Sequence, residues 1–142
     1  MITFIFPLKK RKLQENFLEN FNVFSDEVQV YFALEEGEKL NLLPVSNVTA
    51  FIGYFNKDTS EEDMIESLVG KITTQTLVIV RDGEKPVNFS SLKECVVKQR
   101  EGYDIVLMKK NKKENKFKNF FSNMLKAFAS KMFGIKFFEG EL

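Results

Sequence analysis

The chain has 142 residues, 44% of them hydrophobic and 29% charged, with a formal net charge of +1; this suits one folded domain with a real core and excludes a disordered chain. It has no histidine and one cysteine, Cys95, which excludes imidazole acid–base catalysis, histidine metal centres and a disulfide within one chain. The charge is uneven: residues 1–108 hold 12 basic and 17 acidic groups, whereas residues 109–142 hold 9 lysines and 3 acids.

Five runs of strand-forming residues alternate with helical patterns. The first is Ile2 to Phe6, ended by Pro7, which cannot donate to a central ladder. Lys9-Lys10-Arg11-Lys12 follows, and then Leu13, Phe17, Phe21 and Phe24 fall at helical spacing on one face. Val28 to Leu34 is the second run. The stretch Glu35 to Asn47, interrupted by Pro44, is expected to be a loop or a single turn of helix. Val48 to Phe55 is the third run, rich in aromatic and β-branched residues.

Thr59-Ser60-Glu61-Glu62 has the form of a capping box, with Met64, Ile65, Leu68 and Ile72 as the buried stripe behind it. The fourth run, Thr76 to Val80, is almost unbroken in its apolar character, as expected of a strand covered on both faces. Ser91-Leu92-Lys93-Glu94 is a second capping box, and Gly102 is placed to end that helix. The fifth run is Ile105 to Met108. Beyond it Phe117, Phe121, Met124, Phe128 and Met132 keep helical spacing up to Gly134. Strands alternating with helices in this way predict a mainly parallel sheet.

Several familiar sites are ruled out by the turns. A dinucleotide-binding Rossmann domain needs a glycine-rich turn after its first strand, and here the turn reads Pro7-Leu8-Lys9-Lys10-Arg11. No GxxxxGK[ST] phosphate loop is present, and no acid pair ends the first strand as in a receiver domain. Cys95, between Glu94 and Val96-Val97, is most simply a small buried apolar group. The apolar start at Ile2 is too short for a signal peptide, and its basic cluster follows instead of preceding. No run approaches the ~20 apolar residues of a spanning helix, so the cytoplasm is the expected address.

The order of elements and several strings resemble family 2 glycosyltransferases of the GT-A fold, from Thr3 to about Gly134. Phe4-Ile5-Phe6-Pro7 is similar to that family's opening strand and proline, although Leu8-Lys9-Lys10-Arg11 replaces its Thr-Tyr-Asn-Glu-like turn. Glu35-Glu36-Gly37-Glu38 resembles its Asp-Asp-Gly-Ser turn, which implies that Glu36 meets a nucleotide base or ribose. The family's Asp-x-Asp, whose carboxylates hold Mg²⁺ or Mn²⁺ on a nucleotide diphosphate, falls at Val80-Arg81-Asp82-Gly83-Glu84. Arg81 stands where the first Asp belongs, and Asp82 with Glu84 restores the spacing one residue late. The resemblance therefore implies either a metal at Asp82 and Glu84 or a metal-free meeting of Arg81 with phosphate oxygens. Glu101-Gly102-Tyr103-Asp104-Ile105-Val106-Leu107-Met108-Lys109 is similar to the family's Gly-x-Asp-Val-Val-x-Gly-x-Arg strand. No counterpart of the family's acceptor half follows, which implies a domain that does not complete a transfer by itself.

Lys9-Lys10-Arg11-Lys12 has two readings, a solvated start of the first helix or an anion site at the C-terminal edge of the sheet. The latter explains cations that would be unfavourable in a helix first turn. The Lys109 to Lys136 region carries nine lysines and one acid, Glu114, interleaved with Phe117, Phe120, Phe121, Phe128 and Phe133; Phe137 and Phe138 follow. Its first part, 109–118, is of low complexity and expected to be mobile. Three readings stand for this region: a helix packed on the sheet with solvated lysines, a membrane-surface helix, or a nucleic-acid contact. Nucleic acid is the least favoured, because the aromatics keep core spacing and arginine is scarce.

The sequence thus predicts a single α/β domain over residues 1–142, a three-layer sandwich of GT-A or Rossmann-like type with a mainly parallel central sheet. Its expected function is to bind a nucleotide or nucleotide-sugar through Glu36, Lys9, Arg81 and Asp82, with Mg²⁺ or Mn²⁺ as the implied metal at Asp82 and Glu84. The alternative is a pseudoenzyme, a non-catalytic module that docks on an anionic membrane surface, at the inner face, or on a protein partner.

Overall fold

A computed structural model describes residues 1–74, 76–102, 105–109 and 137–141, the last two stretches in their backbone alone. The chain divides into two compact units, Met1–Phe89 and Ser90–Leu142. The first contains strands β1 (Ile2–Pro7), β2 (Val28–Glu35), β3 (Val48–Phe55) and β4 (Thr76–Ile79), with a 3-10 helix over Phe17–Val23 and helix α1 over Glu61–Val69. Helix α2 (Phe89–Arg100) begins at its last residue, and β5 (Ile105–Lys109) and β6 (Phe137–Glu141) belong to the second unit.

The four strands of the first unit form one all-parallel sheet in the order β3-β2-β1-β4. Such a sheet, with a 3-10 helix between β1 and β2 and α1 between β3 and β4, makes the protein α/β and Rossmann-like. β1 lies between β2 and β4, and every one of its residues is buried. Its register sets Phe4 beside Val30 and Phe6 beside Phe32, so one face of the sheet carries a row of phenylalanines. The 3-10 helix lays Phe17 and Phe21 on that row. Ring centroids are 5.0 Å apart for Phe4–Phe21, 5.5 Å for Phe6–Phe17 and 6.2 Å for Phe17–Phe32. Phe24 and Phe89 complete the cluster at 5.3 Å from Phe4 and 5.1 Å from Phe21. The sixteen phenylalanines of the sequence are thus spent, in part, on one continuous aromatic core, in which each edge-to-face pair adds about 0.5–1.5 kcal/mol beyond its buried area.

Helix α1 packs on β1 and β2 through Met64, Ile65, Leu68 and Val69. A side chain at Gly53 of β3 would come within 3.4 Å of Leu68 and 3.2 Å of Phe55, so that glycine lets helix and strand close together. The β2–β3 connection, residues 36–47, contains no helix. It turns at Gly37 (φ +91) and is pinned by the Leu43 amide on the Glu15 carbonyl, at 2.7 Å. Thr3, the buried polar residue of the core, is satisfied by Thr74 Oγ1 at 2.8 Å.

Several expectations are corrected. The pattern Leu13 to Phe24 forms a seven-residue 3-10 helix instead of an α-helix. The Asn20 side chain donates to the Phe17 carbonyl at 2.9 Å, the acceptor that an α-turn would offer to the Phe21 amide. Consequently Lys9 to Lys12 lie in a loop and are not the start of a helix. The α1 cap is Ser60, whose Oγ accepts from the Asp63 amide at 3.1 Å, so the capping motif sits one residue later than Thr59. Helix α2 starts at Phe89, which places Ser91 in its first turn, and Gly102 (φ +111) follows its end as expected. β4 is half-buried along its length instead of covered on both faces, because it borders the sheet. β5 pairs in parallel with β6 in a two-stranded sheet of the second unit; Phe137 and Phe138, grouped above with the basic tail, open a strand. Residues 110–136, with the Phe117 to Met132 stripe, lie outside the described residues. Among those described, no helix is long and apolar enough to cross a membrane.

Phe21 is fully buried and touches five other rings of the cluster at 5.0–6.4 Å, those of Phe4, Phe6, Phe17, Phe24 and Phe89. Phe21→Ala is expected to lower stability by about 3–5 kcal/mol, read as a shift in urea midpoint at unchanged slope.

Candidate functional site

The strand order locates the place where ligands bind in open parallel sheets. The chain runs from β1 outward through β2 to β3, then returns to add β4 on the opposite side of β1. In open parallel sheets a reversal of this kind defines the ligand crevice beyond the C-terminal ends of the strands that flank it, here β1 and β4. The loops that meet there are Leu8 to Lys12 and Val80 to Lys85, and the N-terminus of α1 joins them.

Asp82 is the centre of the arrangement. Its Oδ2 accepts from the backbone amides of Lys9 at 2.9 Å and Lys10 at 2.6 Å, and its Oδ1 accepts from the Arg11 amide at 3.0 Å. Three consecutive amides of one loop therefore converge on one carboxylate of the other. The Asp82 amide in turn donates to Glu61 Oε1 at 2.8 Å. Arg81 forms a two-pronged pair with Glu61, Nε to Oε1 at 2.9 Å and Nη2 to Oε2 at 3.1 Å, and Nη2 also reaches Glu62 Oε1 at 2.6 Å. The geometry is the parallel fork that makes arginine–carboxylate pairs strong.

Two further cations are held by carbonyls. Arg11 donates to the carbonyls of Arg81 at 3.1 Å and Lys85 at 3.2 Å, and the Lys9 ammonium donates to the carbonyl of Thr59. Burial holds the Arg11 guanidinium below its ordinary pKa, against the opposing pull of Asp82 and Glu61. The Glu62 carboxyl is held below its ordinary value by a hydrogen bond from its own backbone amide and then by Arg81. Three cations, Lys9, Arg11 and Arg81, thus face three acids, Glu61, Glu62 and Asp82.

The residues singled out from the sequence fall into three groups. Lys9, Arg81 and Asp82 are brought together. Glu36 is exposed in the turn after β2, with its amide on the Phe55 carbonyl at 2.9 Å. Glu84 is exposed in the loop after β4. The pair Asp82 and Glu84 does not fit Mg²⁺ or Mn²⁺: both Asp82 oxygens face amide donors, and among the described residues no three acidic, cysteine or histidine side chains gather as a metal would require. Cys95 in α2 is pushed up to about 11, chiefly by burial, so its thiol stays protonated at neutral pH and gives no nucleophile.

Sequence reasoning reaches Arg11 only as a member of the basic cluster Lys9 to Lys12, and it does not reach Glu61 and Glu62 as site residues. The signal for Glu61 and Glu62 is an acid pair opening a helix ahead of a strand that an arginine follows, a pattern that by itself also fits simple capping. No protein-family model, curated protein or solved structure matches this chain.

Removing Arg81 leaves Glu61 and Glu62 facing each other without their shared cation. Its side chain is 26% exposed and that of Glu61 20%, so Arg81→Ala is expected to cost about 1–2 kcal/mol, between exposed and fully buried pairs. The Glu62 contribution has a definite sign in pH. A depressed carboxyl stabilises the fold above its unfolded value, near 4.5, and that part is lost as pH falls through the folded value. Urea midpoints of wild type and Arg81→Ala should therefore differ most near neutrality and converge in acid.

Proposed function

We propose that the chain binds a nucleotide or nucleotide-sugar in the crevice beyond β1 and β4, as a domain of family 2 glycosyltransferase type. The observation that carries this reading is the convergence at the switch point of three consecutive amides, now on Asp82, beside the cationic side chains of Lys9, Arg11 and Arg81. Amides and cations at this edge are what a diphosphate needs in the absence of a metal. Glu36, one strand away at the end of β2, is the residue for base or ribose, whereas Lys9, Arg81 and Asp82 border the diphosphate. The protein would then act in the cytoplasm.

A thermal-shift titration with UDP, GDP, CDP and their sugar conjugates tests this, with and without Mn²⁺. One diphosphate should stabilise saturably, by about 2.7 kcal/mol at a hundredfold excess over Kd, and the shift should not depend on Mn²⁺. Absence of a shift with every nucleotide would sink the reading.

A second reading is a non-catalytic module that docks on an anionic membrane at the inner face through the Lys/Phe-rich region 109–136. It is favoured by the pairing of Arg81 with Glu61 and Glu62, which engages a cation that a nucleotide would use. It predicts co-sedimentation with vesicles containing phosphatidylserine, absent with phosphatidylcholine alone and weakened by salt. Equal recovery with both vesicles rejects it.

A further inference from the structure

Amide groups that converge on one point form a concave donor array, and such arrays hold anions. In this protein the anion in the array is Asp82, at distances of 2.6–3.0 Å from three consecutive amides. Those lengths are typical of hydrogen bonds to a charged oxygen. The array stands at the strand-order reversal, the position where open parallel sheets receive their ligands. Arg11 lies beside it with its guanidinium partly buried, 3.7 Å from where a side chain at Gly83 would begin, and Lys10, whose amide belongs to the array, is exposed. The carboxylate that fills it comes from a loop, not from a strand, since β4 ends at Ile79 and the following Gly83, Glu84 and Lys85 form no regular element.

We propose that the amides of Lys9, Lys10 and Arg11 are a phosphate-binding site, and that Asp82 is an internal competitor which a ligand phosphate displaces. The proposal rests on the nucleotide reading for its location, and it deepens that reading by naming the phosphate subsite and what regulates access to it. The ligand class is a phosphate or diphosphate group, bound without metal by amides and cations. A site filled by its own side chain binds with an affinity reduced by the fraction of molecules in which that side chain has moved away. Wild-type binding is therefore weaker than the array itself would give, and removing Asp82 strengthens it. The opposite sign distinguishes this role from that of an ordinary binding residue or a metal ligand, whose loss weakens binding.

The test titrates inorganic pyrophosphate into the full chain, wild type, Asp82→Ala and Asp82→Asn, with backbone amide chemical shifts as the readout. Asp82→Ala should bind at least about tenfold more tightly than wild type, a difference of about 1.4 kcal/mol. The largest shifts should fall on the amides of Lys9, Lys10 and Arg11. Asp82→Asn keeps the shape and loses the charge, so it should also gain affinity and decides the matter if the alanine variant does not fold. Wild type supplies an arm independent of both: at saturating pyrophosphate the Asp82 side-chain carboxyl resonance and the three amides should move together with one dissociation constant. Unchanged or weaker binding in a folded variant overturns the proposal, as do shifts spread over lysine-bearing surfaces without those amides. The two ideas fail separately. A nucleotide that binds wild type but gains nothing on removal of Asp82 leaves the nucleotide reading standing and removes this one. A gain for pyrophosphate with no response to any nucleoside diphosphate does the reverse.

Discussion

β1 has no contact with water on either face and is hydrogen-bonded to a strand on each side, β2 and β4. A strand in that position cannot shift by one residue without turning Phe4 and Phe6 away from the aromatic core and Thr3 and Ile5 into it. The register of β1 therefore fixes the height at which its chain leaves the sheet, and with it the position of the Lys9, Lys10 and Arg11 amides. β4 meets the same constraint from the other side, since its pairing runs from Ile2 with Thr76 to Ile5 with Ile79, and the Val80 amide continues it by bonding the Ile5 carbonyl at 2.9 Å. Asp82 arrives opposite the loop because both strands are locked to the same ladder.

The crevice also shows how charge is handled where the sheet ends. Arginine and lysine side chains left beside one another would repel, and the α1 N-terminus supplies the compensating acids. Glu61 and Glu62 sit in the first turn, where the helix dipole favours negative charge, and they extend toward Arg81. One helix start thus serves two purposes, satisfying its own exposed amides and neutralising a neighbouring loop.

Much of the first unit was legible in the sequence, for reasons visible in particular residues. Val28 to Leu34 and Val48 to Phe55 are β-branched and aromatic runs bounded by turns, and no helical pattern competes with them. Of the face formed by Leu13, Phe17, Phe21 and Phe24, the structure keeps the three phenylalanines buried and leaves Leu13 half-buried ahead of the helix, and the spacing does not reveal that the turn is 3-10. The partner of β5 was not legible, because strand propensity says that a segment will pair without saying with what. The same limit applies to the crevice. Lys9 and Asp82 could each be named from their places at strand ends, yet the bonds between them run from a side chain to backbone amides more than seventy residues away. Backbone donors have no signature in residue identity.

β3 is the other margin of the four-stranded sheet, pairing only with β2 among the described residues. Val48 to Phe55 contains no charge and no proline, and it exposes Phe51, Ile52 and Tyr54. Natural sheets usually guard a margin of this kind with a lysine, a proline or a bulge, because its open amides and carbonyls accept further strands. Here the nearest charges, Lys57 and Asp58, come only after the strand has ended. The practical consequence is a colloidal one: among the described residues this eight-residue ribbon is open to a further strand, and an edge of that composition is where copies of a chain meet as concentration rises.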